Sequence, residues 1–181
     1  MVKFGVKAVP FTHDNLDKWR ENFVGVGSLH EPTNLYIFGA VDDIWVNNNG
    51  ELMVVDYKAT AKDSDVNIDS DWQISYKRQL EIYQWLLRHN DFKVSNIGYF
   101  VYANGRVDMD RFNDRVEFKT KIIPYVGDDK WIEPTLSKIK RCMDGEMPAV
   151  GRAAMGGSCD FCAYARQRAE LTIEALKKQK S

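Results

Sequence analysis

Two stretches of the first half are rich in β-branched and aromatic residues, Leu35 to Asn47 and Glu51 to Ala59. Such residues fit a pleated, half-buried surface, so both stretches are predicted strands. Asn48-Asn49-Gly50 between them suits a three-residue loop, a type I turn closed by glycine in the left-handed region. In that register Asn47 faces Glu51 and Asp42 faces Asp56. A two-residue turn on Asn49-Gly50 would slip the pairing and set Asp43 against Asp56 instead. Met53-Val54-Val55 is a continuous apolar run, which predicts a strand covered on both faces.

Helical spacing follows from Trp72 to Arg88, with Tyr76, Leu80, Tyr83 and Leu87 stepping by three or four. Gln79, Ile82, Tyr83 and Leu86 share one stripe, while Lys77, Arg78, Glu81 and Arg88 fall on the wetter side. A short helix is predicted over Asp14 to Phe23, with Thr12 as its N-cap. Val94 to Ala103 reads as a strand turned by Asn104-Gly105-Arg106, and Val116 to Ile123 as another. Lys130 to Met143 is an amphipathic helix with Pro134 in its first turn, and Ala163 to Lys178 closes the chain. Ala61 to Asp71 is a polar, acidic loop that has the position of a gate, and Glu146 to Ser158 is a surface loop. This order predicts an α/β fold, a mixed β-sheet core flanked by helices. The chain reads as one domain over 1–181, with a core at about 35–125 and a C-terminal helical region at 128–181.

The chemistry concentrates on the two strands. Asp56 and Lys58 alternate onto one face, and the facing acid from the first strand points the same way. Facing carboxylates repel, with Cβ atoms about 4.5–5.5 Å apart. An ordinary strand-surface pair is the plain alternative. The apolar run leading into Asp56 argues instead for burial, where carboxylates need compensation. A divalent cation with a lysine beside it would compensate. Gln79 is a polar residue on an apolar helix face, one turn before Tyr83; it is either a satisfied core-edge amide or part of a groove above the strands.

Gly39 to Asp42, then Val54-Val55-Asp56-Tyr57-Lys58, then Gln79 to Tyr83 on a helix resemble the motifs of the PD-(D/E)XK nuclease superfamily, in its RecB-type exonuclease branch. CRISPR-associated RecB-like nucleases are relatives of that branch. The resemblance implies a restriction-endonuclease-like fold and a metal-dependent nuclease that hydrolyses phosphodiester bonds, as an exonuclease or at single strands and ends. Asp42 and Asp56, with the Tyr57 backbone carbonyl, would bind Mg2+ or Mn2+, which favour oxygen ligands. The ion would lower the pKa of a bound water and offset charge on the phosphate. Asp42, Asp56 and Lys58 would be catalytic, Lys58 acting on the water and the developing charge. Gln79 and Tyr83 would hold substrate. DNA, single-stranded or at duplex ends, is the implied partner, with protein partners in repair, recombination or CRISPR adaptation.

Departures from the pattern motivate an alternative, an inactive nucleic-acid-binding or scaffold domain of the same fold. Many such nucleases place a metal-binding histidine on a helix before the first acid. His13 and His30 precede it here, neither in that motif, and Glu31 beside His30 is a candidate further acid. Cys159-Asp160-Phe161-Cys162 resembles the late element of relatives that carry an iron-sulfur cluster, but Arg168 stands where a further cysteine belongs. Cys142, Cys159 and Cys162 give three thiols, short of a four-cysteine cluster and of a closed zinc site.

Composition narrows the rest. An odd number of cysteines without framework spacing fits a reducing cytoplasm, and no stretch is long and apolar enough for a membrane span. A net charge of −1 argues against a tight non-specific nucleic-acid coat. It leaves room for a local basic groove, for which Lys58, Lys62, Lys77 and Arg78 are near in sequence, and Lys119, Lys121, Lys138, Lys140 and Arg141 are candidates to extend it. The tail from Lys177 to Lys180 is basic.

Overall fold

Sheet formation follows the apolar runs. A computed structural model describes residues 2–109, 114–146, 149–153 and 156–179. Its main sheet has five strands in the order β1-β4-β5-β6-β7: β1 (Ala8–Pro10), β4 (Asp43–Asn47), β5 (Leu52–Thr60), β6 (Ile97–Gly105) and β7 (Phe118–Val126). β5 and β6 run parallel, joined through helix α2 (Ile74–Arg88), the crossover that parallel neighbours require. The other pairs are antiparallel. A separate hairpin pairs β2 (Val26–His30) with β3 (Leu35–Gly39). The remaining helices are α1 (Leu16–Arg20), α3 (Ile132–Asp144) and α4 (Asp160–Gln179). The expected mixed α/β sheet with flanking helices is therefore the fold.

The chain divides into two units, Met1–Ser137 and Lys138–Ser181. Every strand belongs to the first. The second holds the end of α3, a bridge between Arg152 and Ser158, and α4, none of whose residues is buried. No helix among the described residues is long and apolar enough to cross a membrane.

Alternation along β5 sorts its side chains. Leu52 and Val54 pack with Ile44, Phe100 and the α2 residues Leu80, Leu86 and Leu87. Met53 and Val55 pack on the opposite face with Val6 and Trp45. Burying each Leu, Ile or Phe is worth about 1.5–3 kcal/mol, enough to hold α2 down although it also buries Glu81 and Gln84. Both have partners, although among the described residues the buried Gln84 Oε1 accepts no hydrogen bond. Glu81 accepts from Tyr125 Oη (2.6 Å), Trp131 Nε1 (2.6 Å) and the Asp128 N–H (3.1 Å). The Gln84 amide donates to the Ser95 and Asn96 carbonyls. Glu81 was expected on the wet side; these three donors, drawn from β7 and the approach to α3, explain its burial.

The β4–β5 register is the three-residue-loop alternative, with Val46 opposite Leu52 and Asp43 opposite Val55. Gly50 takes φ +73° at its turn, as that loop demands. Leu35 to Asn47, however, is two strands in two sheets rather than one. The chain bends at 40–42 because the Val41 N–H bonds the Trp19 carbonyl (3.0 Å) and Arg20 Nε donates to the Asp42 carbonyl (3.1 Å). Asn104-Gly105-Arg106 is not a turn either; the ladder runs through Gly105, and the Arg106 N–H bonds the Glu117 carbonyl. The N-terminal helix is shorter than expected and starts after Asn15 rather than at Thr12. His13 is stacked on Trp19 and accepts the Asn15 N–H, which holds that approach outside the helix. The 61–71 loop is anchored rather than poised as a gate: Val66 and Ile68 are buried, and Asp65 pairs with Lys119 and Lys121. Of the expected 146–158 loop, 147–148 and 154–155 lie outside the described residues, as does Lys180 of the basic tail.

Candidate active site

Asp56 is the last fully buried residue of β5; beyond it Tyr57 and Ala59 are exposed on one face while Lys58 and Thr60 stay half-buried on the face of Asp56. Asp56 is 1% exposed, and its Oδ1 has no partner among the described residues. Lys58 Nζ lies 2.5 Å from Oδ2 as an ion pair. Burial pushes the Asp56 carboxyl above its ordinary value, Lys58 pulls it back, and the Asp42 carboxylate pushes it up again. A buried charge left short of hydrogen bonds costs several kcal/mol, and one lysine does not cancel that here. The pair is incomplete by itself.

Asp42 is an exposed bend residue, one position beyond the end of the β4–β5 ladder. Its Oδ2 accepts the Tyr57 N–H at 2.8 Å. A residue's N–H and C=O leave a strand on the same edge, as the paired exchange of bonds between antiparallel partners requires. The Tyr57 carbonyl thus opens toward Asp42, past the last ladder pair. Asp42, Asp56, Lys58 and that carbonyl come together, as the strand pattern expected, though Asp42 does so from a corner rather than a strand.

Asp43 takes no part in this convergence. Its Oδ1 meets Arg20 Nη2 (2.5 Å) and the Ile44 N–H, and its Oδ2 accepts from Tyr57 Oη (2.8 Å) and Trp45 Nε1 (3.2 Å). Burial and the bond to Asp43 push the Tyr57 phenol up to about 12. Arg20, which also holds the Asp42 carbonyl, was missed from sequence. The adjacent Asp42-Asp43 pair was the available signal, since two neighbouring acids call for a cation from elsewhere.

Gln79 and Tyr83 reach the same place from α2. Gln79 Nε2 donates to Tyr83 Oη at 2.9 Å. Burial lifts the Tyr83 hydroxyl above its ordinary value, the Gln79 bond opposes this, and the Asp42 and Asp56 charges add to it. Gly39 is explained by the same ring, because a Cβ there would lie 2.6 Å from Tyr83 Cε1. Only glycine lets the β3 end run so close under α2.

Other candidates stand apart. Glu31 is exposed in the turn that closes the β2–β3 hairpin, whereas Asp42 follows its open end, about 13–16 Å away along the strand. A carboxylate there is not a ligand beside Asp42. His30 is buried between Thr33 Oγ1 (2.6 Å) and Glu133 Oε2 (2.5 Å), a structural link to α3. Cys142 is exposed on α3, and Cys159 precedes α4, where bonds from Cys162 hold its thiol below the ordinary value. Among the described residues, no group of three or more His, Cys, Asp or Glu side chains is arranged to hold a metal ion. The basic residues are largely engaged: Lys77 lies over Tyr125, Arg78 over Trp131, and Lys119 and Lys121 on Asp65.

The donor set still fits a hard divalent cation. Mg2+ commonly takes one or two carboxylates and completes its shell with water and phosphate. Two carboxylates and a carbonyl converge here, and Asp56 Oδ1 has no partner among the described residues.

A family model described as the PD-(D/E)XK nuclease superfamily matches residues 4–167. No curated protein and no solved structure matches the chain.

Proposed function

The chain belongs to the PD-(D/E)XK nuclease superfamily, and from that premise we propose that it is a metal-dependent deoxyribonuclease of the RecB type, acting on DNA ends or single strands. The observation that carries this reading is Asp56, a carboxylate buried beside Asp42 with Lys58 against one of its oxygens and no partner at the other among the described residues. Asp42, Asp56 and the Tyr57 carbonyl are the groups that would hold Mg2+ or Mn2+. Such an ion, when bound, supplies positive charge to the phosphate and a more acidic water.

The chain's own residues supply the rest. Lys58 is 17% exposed, with its ammonium against Asp56 and over the Tyr76 ring. From there it orients the attacking water and offsets charge that develops on the phosphate oxygens. Tyr83, held by Gln79, closes the α2 side and presents a phenol to the strand that enters. Arg20 fixes the corner that carries Asp42 through the Asp42 carbonyl and Asp43. Protein partners in repair, recombination or CRISPR adaptation, and a cytoplasmic setting, belong to the same proposal.

Purified protein assayed on labelled linear and circular DNA with magnesium or manganese tests this. Linear DNA should be degraded and EDTA should stop it. Asp56→Ala and Lys58→Ala should each lower the rate at least about 100-fold, the scale of losing a charged transition-state partner. Unchanged cleavage in either variant removes this site from consideration. Metal-independent DNA binding without cleavage by the wild type would favour the scaffold reading.

A further inference from the structure

The chain has one tryptophan that packing does not explain. Trp19, Trp45 and Trp85 are buried, but Trp72 is 53% exposed. It is not loosely held. It lies in a short 3-10 turn, Asp71–Gln73, closed by a reciprocal capping box between Ser70 and Gln73. Gln73 is buried and its amide donates to the Asn67 carbonyl at 2.8 Å, while Ser75 Oγ donates to the Trp72 carbonyl. A single exposed ring needs no explanation by itself; this one is set apart by its fixed turn and by the lysines and tyrosine around it.

Its neighbours indicate the ligand. The Trp72 ring meets Tyr76 edge-on, with centroids 5.4 Å apart at 80°. Lys62 Nζ lies 5.8 Å from the indole centroid, and Lys58 Nζ lies 4.4 Å over the Tyr76 ring. These contacts run without a gap from Asp56 through Lys58 and Tyr76 to Trp72. They put the indole within about 10 Å of the Lys58 ammonium. A recess of about 70 Å3 between Lys58, Lys62, Trp72 and Tyr76 opens beside it.

We propose that Trp72, flanked by Lys62 and braced by Tyr76, is a stacking subsite for an unpaired nucleobase adjoining the phosphate held at Lys58. The proposal rests on the hydrolytic reading of the Asp56–Lys58 site and narrows its substrate to strands with accessible bases. An aromatic face binds any base, and a nearby ammonium binds the backbone, which together make a sequence-tolerant platform for single strands. Bases inside a duplex are stacked on each other and cannot use it. A platform fixed before binding loses little freedom on contact.

The test compares a fluorescein-labelled oligothymidylate with an abasic strand of equal length, bound in EDTA so that no turnover occurs. Trp72→Ala should weaken oligothymidylate binding roughly 5- to 150-fold, the range for one stacked base. It should leave abasic-strand binding within about twofold, and Trp72→Phe should restore most of the loss. Thermal melting of the variants should match the wild type, since the ring is exposed. Equal effects on both strands, or none on either, overturn the subsite. Cleavage of both strands in manganese is read in parallel. Trp72-dependent stacking without cleavage of either strand leaves the subsite standing and removes the hydrolytic reading.

Discussion

Asp56 carries its charge almost wholly buried, and burial outweighs the help of Lys58, so a neutral isostere should suit the apoprotein better. Asp56→Asn removes the charge and keeps the shape, and Lys58 can still rest on the Tyr76 face. In metal-free buffer the variant should unfold at higher temperature, by the equivalent of about 1 kcal/mol. Magnesium should raise the melting temperature of the wild type and not of the variant. A variant that melts lower and still responds to magnesium would show that Asp56 is a structural charge. Gly39 carries a separate prediction. Gly39→Ala drives a methyl into Tyr83, and overpacking of this kind costs about 1–3 kcal/mol in urea unfolding. Tyr83→Leu in that background should return part of it. No return would mean that the glycine serves the backbone instead of the ring. Both residues stood in the motif read from the sequence. The reason for the glycine was not legible there, because it depends on a helix more than forty residues away in the chain.

Between residues and the whole lies the corner at 40–43. The strand pattern gave the β4–β5 register, since turn chemistry and alternation are local. It did not give the break between β3 and β4, because both halves have β-forming side chains and the bend is imposed by α1 from outside. Arg20 is the visible agent. It is 40% exposed, so its ion pair contributes little to stability. Arg20→Ala should change the unfolding free energy by less than about 1 kcal/mol yet raise the metal concentration for half-maximal activity severalfold, with Arg20→Lys intermediate. Equal loss of stability and activity would reduce Arg20 to a fold residue. Glu81 makes the opposite case. Its buried carboxylate ties α2 to β7 and the start of α3 through three donors. Glu81→Gln turns an N–H toward one of those donors and should cost about 1–3 kcal/mol in thermal or urea unfolding. Periodicity put Glu81 on the wet face, since it counts charge as exposure and cannot see convergent donors.

At the scale of the molecule, the sheet that buries apolar runs also sets the chemistry. β5 is apolar where both faces are covered, and acidic then basic further along the face that it turns toward α2. The alternation of one strand therefore supplies both the core and the acid-lysine pair, which is why so much of the fold and site was legible in sequence. What was not legible came from long-range contacts: the Asp43 network, the anchoring of the 61–71 loop, and the exposure of Trp72. Net charge near neutrality is compatible with this scheme, because Lys77, Arg78, Lys119 and Lys121 are occupied by carboxylates and aromatic rings. The central claim is that two carboxylates and one carbonyl share a single hard cation beside a lysine. Manganese titration followed by electron paramagnetic resonance reads this directly. The wild type and Lys58→Ala should each bind one ion, while Asp42→Asn and Asp56→Asn should lose it. Undiminished manganese binding in Asp56→Asn would contradict the account.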